Sequence, residues 1–301
     1  MNHIPPNSRR RLFHRLQENL PPLEITKRDL RILELVGDYR FLNTEQIHAL
    51  VGGSKHNVTE RLSRLFHHAY LDRPSHQREL RSEGYRVMVY ALAPKGAQLL
   101  AHRVGEAANA PRRLAASNRA AKRFYMAHTL MVSQFRACLA LACRARPDVQ
   151  LREWRVPDRP LARVMIGRNA VAVIPDAQFI LQAHDGQVAY FFLEADRGTM
   201  SHRRFLAKLQ AYWHMRSLGQ KPEIPRAFRV LVVAPSQRRM ENLLDTATNA
   251  DPRHTGSRMF CFTVESEYSL DKPEVLFDRI WRTPVDLLPR SILNRTRSAH
   301  V

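Results

Sequence analysis

Two helix-start signals of the same kind most constrain the fold of this 301-residue chain. In "ITKRDLRILELVGDY", Thr26 can cap a helix, and Asp29 at the third position completes a capping box. In "LNTEQIHALVGG", Asn43 and Gln46 repeat that arrangement, and the paired glycines that follow end the helix. Two consecutive helices are therefore predicted from local signals alone.

A third helix and a pair of strands complete the first predicted domain. In "SKHNVTERLSRLFHHAYL", Val58, Leu62, Leu65 and Phe66 recur at helical spacing. The segment "YLDRPSHQRELRSEGYRVMVYAL" then indicates two strands around a basic loop, and "APKGAQLLAHR" begins a closing helix with proline in its first turn. This succession predicts a winged helix-turn-helix domain over residues 24–104.

The outer face of the third helix and the basic loop form the predicted DNA-binding surface. In a winged helix, the third helix enters the major groove and the wing lies along the backbone or the minor groove. The alternative is a domain that makes only protein contacts, with its arginines on an ordinary solvated face. The expected DNA-binding residues are Lys55, His56, Asn57, Thr59, Arg61 and Arg64 on the helix, and Arg73, Arg78, Arg81 and Arg86 in the wing.

The net charge indicates a polyanionic partner. The formal charge is +20, and both parts of the chain contribute: residues 1–120 have 20 basic and 11 acidic side chains, and residues 121–301 have 28 and 17. Neutralising phosphates releases counterions, so nucleic acid, and with a winged helix double-stranded DNA, is the expected partner. An arginine-rich proteome would raise the count in the same way, so charge alone does not decide.

The remaining composition indicates an ordinary globular protein. Cys138, Cys143 and Cys261 form no CxxC pair and have no histidine at zinc-finger spacing, so neither a zinc site nor a disulfide framework is indicated. No apolar run approaches the ~18–20 uninterrupted residues of a membrane helix, and the N-terminus has no secretory apolar region. We therefore expect a cytoplasmic protein without a membrane partner.

The order of elements after residue 120 predicts a second domain. The small, polar segment 105–120 is the predicted linker. Residues 121–265 then indicate a long helix with one buried face from Phe124 to Leu139, mostly antiparallel strands, and alternating helices and strands. This succession resembles the core of the PD-(D/E)xK nucleases. The predicted fold class is α+β, with a winged helix-turn-helix followed by a nuclease-like α/β domain.

Two acidic residues of this domain resemble the motif residues of that superfamily. Asp176 follows a proline after an apolar run, as in the first acidic motif, and Glu194 resembles the second. The resemblance implies that both carboxylates could hold a Mg²⁺ ion that activates water against a phosphodiester. Asp176 and Glu194 are therefore the candidate metal ligands, and Mg²⁺ is the cofactor that an active enzyme would use.

The next motif position departs from the superfamily. A lysine normally stands two residues after the glutamate, where this chain has Asp196, which cannot stabilise negative charge at phosphorus. Lys208 in the following helix could return an ammonium group to the site. Alternatively, Asp196 and Lys208 pair and leave a structural acidic cluster. An inactive domain is favoured; the catalytic residues of an active one would be Asp176, Glu194, Asp196 and Lys208.

Three segments, "PDAQFIL", "FFLEADRGT" and "LAKLQAYW", behind a winged helix resemble the replication-relaxation family of plasmid and integrative-element proteins. The resemblance runs from about Thr26 to Val233. It implies a DNA-binding accessory protein that acts in replication, DNA relaxation or mobilisation. Its most specific part is an E-x-D-x-G-T block with a lysine and a tyrosine downstream: Glu194, Asp196, Gly198, Thr199, Lys208 and Tyr212.

Two other functions stay open at this point. One is a divalent-metal-dependent endonuclease that nicks or cleaves DNA. The other is an interaction protein that recruits a relaxase or a replication initiator and has no specific DNA site of its own. A homodimer is among the expected assemblies, because operators are commonly two-fold. Residues 266–301 are a predicted extension whose segment "VLFDRIWRT" could dock on the core or on a partner.

Overall fold

The computed structural model describes residues 12–16, 20–82, 87–104, 117–118, 121–217, 224–225, 227–250, 252–286 and 288–293. They form a mixed α and β structure, as the sequence predicts. The chain divides into two compact units, Met1–Ala137 and Cys138–Val301, and the division falls inside one long helix. The predicted linker at 105–120 lies outside the described residues except for Ser117 and Asn118.

The first unit combines short helices with a small sheet. Its strands form a three-stranded antiparallel sheet in the order β1-β3-β2. Its elements, within the described residues, are α1 (Lys27–Tyr39), β1 (Leu42–Asn43), α2 (Thr44–Val51), α3 (Lys55–His67), β2 (Leu71–Asp72), α4 (Gln77–Ser82), β3 (Val89–Leu92), α5 (Pro94–Val104) and the first part of α6 (Arg123–Ala145).

Both predicted capping boxes are confirmed. The Thr26 hydroxyl accepts the Asp29 N–H at 3.2 Å, and the Asp29 carboxylate accepts the Thr26 N–H at 2.8 Å. Asn43 and Gln46 exchange the equivalent bonds at 2.8 and 2.9 Å. Because each pair satisfies two backbone donors that a helix start leaves open, α1 and α2 begin where the local sequence predicts.

The loop between β2 and β3 contains a helix, α4, that the sequence does not predict. Gln77 at its start is fully buried, donates from its side-chain amide to the Val89 carbonyl at 3.0 Å, and accepts the Val89 N–H at 2.9 Å. The side chain thus satisfies both backbone groups of one strand residue, as a neighbouring strand would. A glutamine within a polar run gives no sign of this role.

A buried ion pair joins α1 to α3. The Asp29 carboxylate, which also caps α1, is fully buried and accepts a hydrogen bond from Nε of Arg61 at 2.9 Å and a second one from its Nη2. Burial alone would raise the pKa of Asp29, but the hydrogen bonds from Arg61 and Thr26 outweigh it and hold the pKa below its ordinary value. The pair therefore fixes α3 against the start of α1.

We expect Asp29→Ala to lower the free energy of unfolding by about 3–5 kcal/mol, because it removes a helix cap and leaves the Arg61 guanidinium without its buried partner. Urea unfolding measures the change. The control is Glu34→Ala, which removes an exposed ion pair with Arg31 on the same helix and should cost under about 1 kcal/mol. Equal losses in the two variants would contradict a structural role for the buried pair.

The second unit is built on a five-stranded mixed sheet. The strand order is β10-β9-β8-β7-β4; β4, β7 and β8 are antiparallel neighbours, whereas β8, β9 and β10 are parallel, and β5 and β6 form a separate hairpin. The elements are β4 (Val149–Arg155), β5 (Ala162–Ile166), β6 (Asn169–Val173), β7 (Ala177–Ala183), β8 (Val188–Ala195), α7 (His202–Ser217), β9 (Arg229–Ala234), α8 (Gln237–Thr248) and β10 (Phe260–Val264).

One apolar core holds α7, α8 and the hairpin against the sheet. In α7, Phe205, Leu209 and Tyr212 recur at helical spacing and are buried. Because β8 and β9 are parallel, their carboxyl ends meet at one edge, where α7 and α8 begin. The core also includes Val164 and Val173 of the hairpin, Phe192, Val230 and Val232 of the sheet, and Met240 and Leu243 of α8.

Helix α6 buries its expected face except at the first position. Met131, Phe135 and Leu139 are buried, but Phe124 is 61% exposed, so its predicted place in the apolar face is wrong. The Arg123 guanidinium lies 4.4 Å from the Phe124 ring centroid, a cation–π contact that suits an aromatic ring near water. By length and composition alone α6 could cross a membrane; half of its most apolar stretch is buried within the fold, and core helices of soluble proteins pass the same test of length and composition.

The C-terminal segment docks on its own unit. Leu276, Phe277 and Trp281 are buried, and the Trp281 indole N–H donates to the Leu276 carbonyl at 2.9 Å. Phe262 of β10 exchanges two backbone hydrogen bonds with Arg282, at 2.7 and 2.9 Å. The segment therefore covers the free edge of β10, which would otherwise present unpaired backbone groups. Of the two alternatives for "VLFDRIWRT", the described residues show docking on the core.

Trp281→Ala should lower the free energy of unfolding by about 3–5 kcal/mol, because it removes a large side chain that is 1% exposed. Leu288→Ala is the control, because Leu288 is 73% exposed in the same segment and its truncation should change stability by under about 0.5 kcal/mol. A tryptophan variant as stable as the leucine variant would show that the segment contributes nothing to the second unit.

Candidate functional site

The first turn of α3 presents polar groups to solvent. Lys55, His56, Asn57 and Thr59 are exposed, as the sequence predicts for this face. The Lys55 ammonium lies 2.7 Å from an Oε1 atom of Glu45, but both side chains are largely exposed, so the pair is weak. These four residues are placed where they can meet an external partner.

Three arginines of the predicted DNA-binding set instead contact their own unit. Arg61 holds Asp29, and Arg64 donates from Nη2 to the Pro22 carbonyl at 3.0 Å. The Arg73 guanidinium lies 4.2 Å from the Phe66 ring centroid and donates to the Tyr90 hydroxyl at 3.2 Å. Helical spacing places Arg61 and Arg64 at the surface, and the predicted loop does the same for Arg73, but a long side chain can fold back onto its own unit.

The rest of the predicted wing is described only in part. Arg78 is exposed, and its guanidinium lies 4.6 Å from the ring centroid of Phe13. The Arg81 side chain and the whole of Arg86 lie outside the described residues. The wing therefore adds one exposed guanidinium to the described surface of the first unit.

In the second unit, the structure brings Asp176 and Glu194 together, as the motif resemblance implies. Asp176 precedes β7, and Glu194 lies near the end of β8; the two strands pair with Ala177 opposite Leu193. The Asp176 carboxylate accepts the Ala195 N–H at 2.7 Å, and its own N–H donates to the Leu193 carbonyl at 2.9 Å. One carboxylate thus lies beside the strand that contains the other.

Glu194 is held by two residues of α7. Its Oε2 accepts a hydrogen bond from the Lys208 ammonium, and its Oε1 accepts one from the Tyr212 hydroxyl at 2.5 Å. The side chains of Glu194 and Lys208 are only 8% and 17% exposed. Lys208 and Tyr212 are four residues apart, so both face the same carboxylate. Lys208 therefore lies in the acidic cluster, as the sequence suggests.

Burial dominates the protonation of this group. Burial and the nearby charge of Asp176 outweigh the attraction of Lys208 and raise the pKa of Glu194 to about 7. Burial acts to lower the pKa of Lys208, but the negative charge of Glu194 outweighs it and raises that pKa. Burial and Glu194 also raise the pKa of Tyr212 well above its ordinary value, so its hydroxyl stays a donor.

Asp196 is held by an arginine that the sequence analysis missed. Arg239 donates from Nε to Oδ2 of Asp196 at 2.7 Å and from Nη2 to Oδ1 at 3.1 Å, and it also donates to the Met200 carbonyl at 2.7 Å. The predicted alternative of an Asp196–Lys208 pair is wrong, because Lys208 pairs with Glu194. Arg239 lies in the first turn of α8, directly after a strand parallel to β8, and that placement is the signal that could have found it.

The same loop explains the glycine of the E-x-D-x-G-T block. Gly198 has a φ of 75°, which side chains rarely adopt, and its N–H donates to Oδ2 of Asp196 at 3.0 Å. Asp196 therefore closes the turn out of β8 and binds the first turn of α8 at once.

In this arrangement a Mg²⁺ ion would compete for Glu194 and Asp196 with cations of the fold itself. Mg²⁺ needs about six oxygen ligands in octahedral geometry. Both oxygens of Glu194 accept hydrogen bonds from α7, and both oxygens of Asp196 face Arg239. Within the described part of the chain, no group of three or more His, Cys, Asp or Glu side chains could hold a metal ion. The cluster forms two buried ion pairs.

Comparison with known proteins places the chain in a family. The family model described as Replication-relaxation matches residues 33–228, more than half of the chain. The chain belongs to the replication-relaxation family. Membership supports a role in the replication or relaxation of a plasmid or other mobile element. No curated protein and no solved structure matches the chain. The matched region of this replication-relaxation protein includes α3 and the E-x-D-x-G-T block, whereas Arg239 follows it.

The ion pair of Glu194 should set part of the pH dependence of stability. The raised pKa means that the folded protein keeps a proton that the unfolded chain releases between pH 4.5 and about 7, so the free energy of unfolding falls as pH rises through that window. We expect Lys208→Met to raise the pKa of Glu194 further. The decline should then continue above pH 7, by about 1.4 kcal/mol per pH unit.

Urea unfolding between pH 5 and pH 9 measures this profile. Lys272→Met is the matched control, because Lys272 is exposed in the same unit and its loss should leave the profile unchanged. Parallel profiles for Lys208→Met and the unsubstituted protein would contradict the electrostatic role of Lys208.

Proposed function

We propose that this protein is a cytoplasmic DNA-binding accessory protein of a plasmid or integrative element, acting in its replication, relaxation or mobilisation. The first unit binds double-stranded DNA as a winged helix-turn-helix, and the second unit has a nuclease-like fold that does not cut. The observation on which this rests is the exposed polar first turn of α3, beside a small antiparallel sheet, in a chain of the replication-relaxation family.

Element order and exposure support the DNA-binding part. Three helices, a sheet in the order β1-β3-β2 and a closing helix suit a winged helix-turn-helix. In such domains the N-terminal residues of the recognition helix contact base edges. Arg61 and Arg64 support α3 from its side, so we assign base contact to the preceding turn, with Lys55, His56 and Asn57.

The two buried ion pairs support the non-cutting part. A metal ion would have to compete with Lys208 and Tyr212 for Glu194, and with Arg239 for Asp196. Breaking a buried, hydrogen-bonded ion pair typically costs several kcal/mol. Lys208 neutralises the carboxylate that an endonuclease would use as a metal ligand.

The test of DNA binding is a variant with Lys55→Ala, His56→Ala and Asn57→Ala. Footprinting on the host element would locate the bound site, and fluorescence anisotropy at fixed salt would measure affinity for that site and for random duplex. We expect the triple variant to bind its site at least roughly 100-fold more weakly, because three base contacts of about 1–3 kcal/mol each together contribute at least about 3 kcal/mol of discrimination.

A matched control has Gln98→Ala, His102→Ala and Arg103→Ala on α5, which removes one amide, one imidazole and one full cation from exposed positions of the same unit. The control should keep its affinity for the site. Unchanged binding by the α3 variant would overturn the assignment of the recognition helix. Binding without sequence preference by the unsubstituted protein would instead favour an interaction protein that recruits a relaxase or initiator.

The same preparations, incubated with supercoiled host plasmid and Mg²⁺ or Mn²⁺, should retain the DNA without nicking it. Metal-dependent nicking that disappears in Glu194→Ala and Asp176→Ala would make the second unit an endonuclease and overturn the non-cutting part of the proposal.

A further inference from the structure

The starts of α7 and α8 lie together at one edge of the second unit. Each helix follows one of the parallel strands β8 and β9. Arg239 in the first turn of α8 donates to the Met200 carbonyl, just before α7, at 2.7 Å, and its Nη1 atom lies 3.5 Å from Nε2 of His202, the first residue of α7. These two contacts join the helices directly.

Three arginines project from these first turns: Arg203, Arg204 and Arg238, here called the arginine edge. All three are exposed. None of them pairs with a carboxylate among the described residues. The arginine edge therefore keeps its positive charge available to an external anion.

One exposed carboxylate, Glu241, lies three residues after Arg238 in α8 and accepts a hydrogen bond from Gln237 at 2.8 Å, so the three arginines exceed it by two charges. The two acidic residues at the end of β8 are neutralised within the fold. Glu194 pairs with Lys208, and Asp196 pairs with Arg239; both acidic side chains are under 10% exposed. The negative charges that would hold a cation in a nuclease are thus neutralised inside the fold, while the added arginines remain at the surface. The local charge favours a phosphate over a metal ion.

We propose that the arginine edge is a second DNA-contact surface that binds phosphates of the duplex backbone. Guanidinium groups bind phosphate oxygens in a bidentate manner, and such contacts hold a protein on DNA without reading its sequence. The inference rests on the proposed function, because it assigns the second unit a role in binding the same duplex. The first unit selects the site, and the arginine edge adds affinity that is independent of sequence.

The test uses the full chain with Arg203→Gln, Arg204→Gln and Arg238→Gln, changes that remove charge and retain a good helix former. Affinity for the footprinted site and for random duplex is measured over a range of KCl concentrations. Each lost phosphate contact should lower the slope of log K against log salt by about 0.9, so we expect a decrease of roughly 2–3. Affinity should fall on both duplexes by the same factor, leaving their ratio unchanged.

A matched control has Arg152→Gln, Arg163→Gln and Arg168→Gln, which removes three exposed arginines from β4 and the β5–β6 hairpin of the same unit. An unchanged salt slope in the arginine-edge variant would overturn the proposal. An equal decrease in the control would also overturn it, because total charge would then explain the effect.

The outcome is distinguishable from a failure of the proposed recognition helix. If the α3 variant keeps its site preference while the arginine-edge variant loses salt-dependent affinity, the second surface stands and the α3 assignment falls. If the α3 variant loses site preference while the arginine-edge variant binds both duplexes as the unsubstituted protein does, the α3 assignment stands and the second surface falls.

Discussion

Removing a carboxylate from water costs several kcal/mol unless a cation and hydrogen bonds compensate, and both units of this protein are organised around that requirement. In the first unit the buried Asp29 takes Arg61 from α3. In the second, Glu194 takes Lys208 from α7 and Asp196 takes Arg239 from α8. Each acidic residue therefore selects which helix lies against its own element. Apolar packing provides most of the buried surface, but it is less selective about which residues meet.

These pairs change how the net charge of +20 is understood. Arg61, Lys208 and Arg239 have buried acidic partners, and Arg73 packs on aromatic rings. These cations stabilise the fold, and because their charge is compensated by partners within the protein, they contribute little to the binding of an external anion. What remains for a polyanion is a smaller exposed set. Charge composition thus indicates a class of partner without identifying the contacting residues.

Local signals in the sequence predict the beginnings of α1 and α2 well, because a capping box involves residues three apart. Long-range partners are different. The convergence of Asp176, Glu194 and Lys208 is predicted only because a family resemblance supplies it. Arg239 is missed because its meeting with Asp196 depends on β9 lying parallel to β8, which single-sequence patterns do not reveal. Gln77 in α4 is missed for the same reason, since its partner is the backbone of a strand twelve residues away.

The spacing of Glu194 and Asp196 has a mechanical consequence. At the end of β8, Glu194 binds Lys208 of α7 and Asp196 binds Arg239 of α8. The N–H of Gly198 closes the turn that follows by donating to Asp196. A force that displaces either helix therefore acts on the same short backbone segment, Glu194 to Asp196, and through it on β8, the central strand of the sheet. The strand end acts as a common anchor, so α7 and α8 are held as a stiff pair. Load applied to one is shared by the other before either can move away from the sheet.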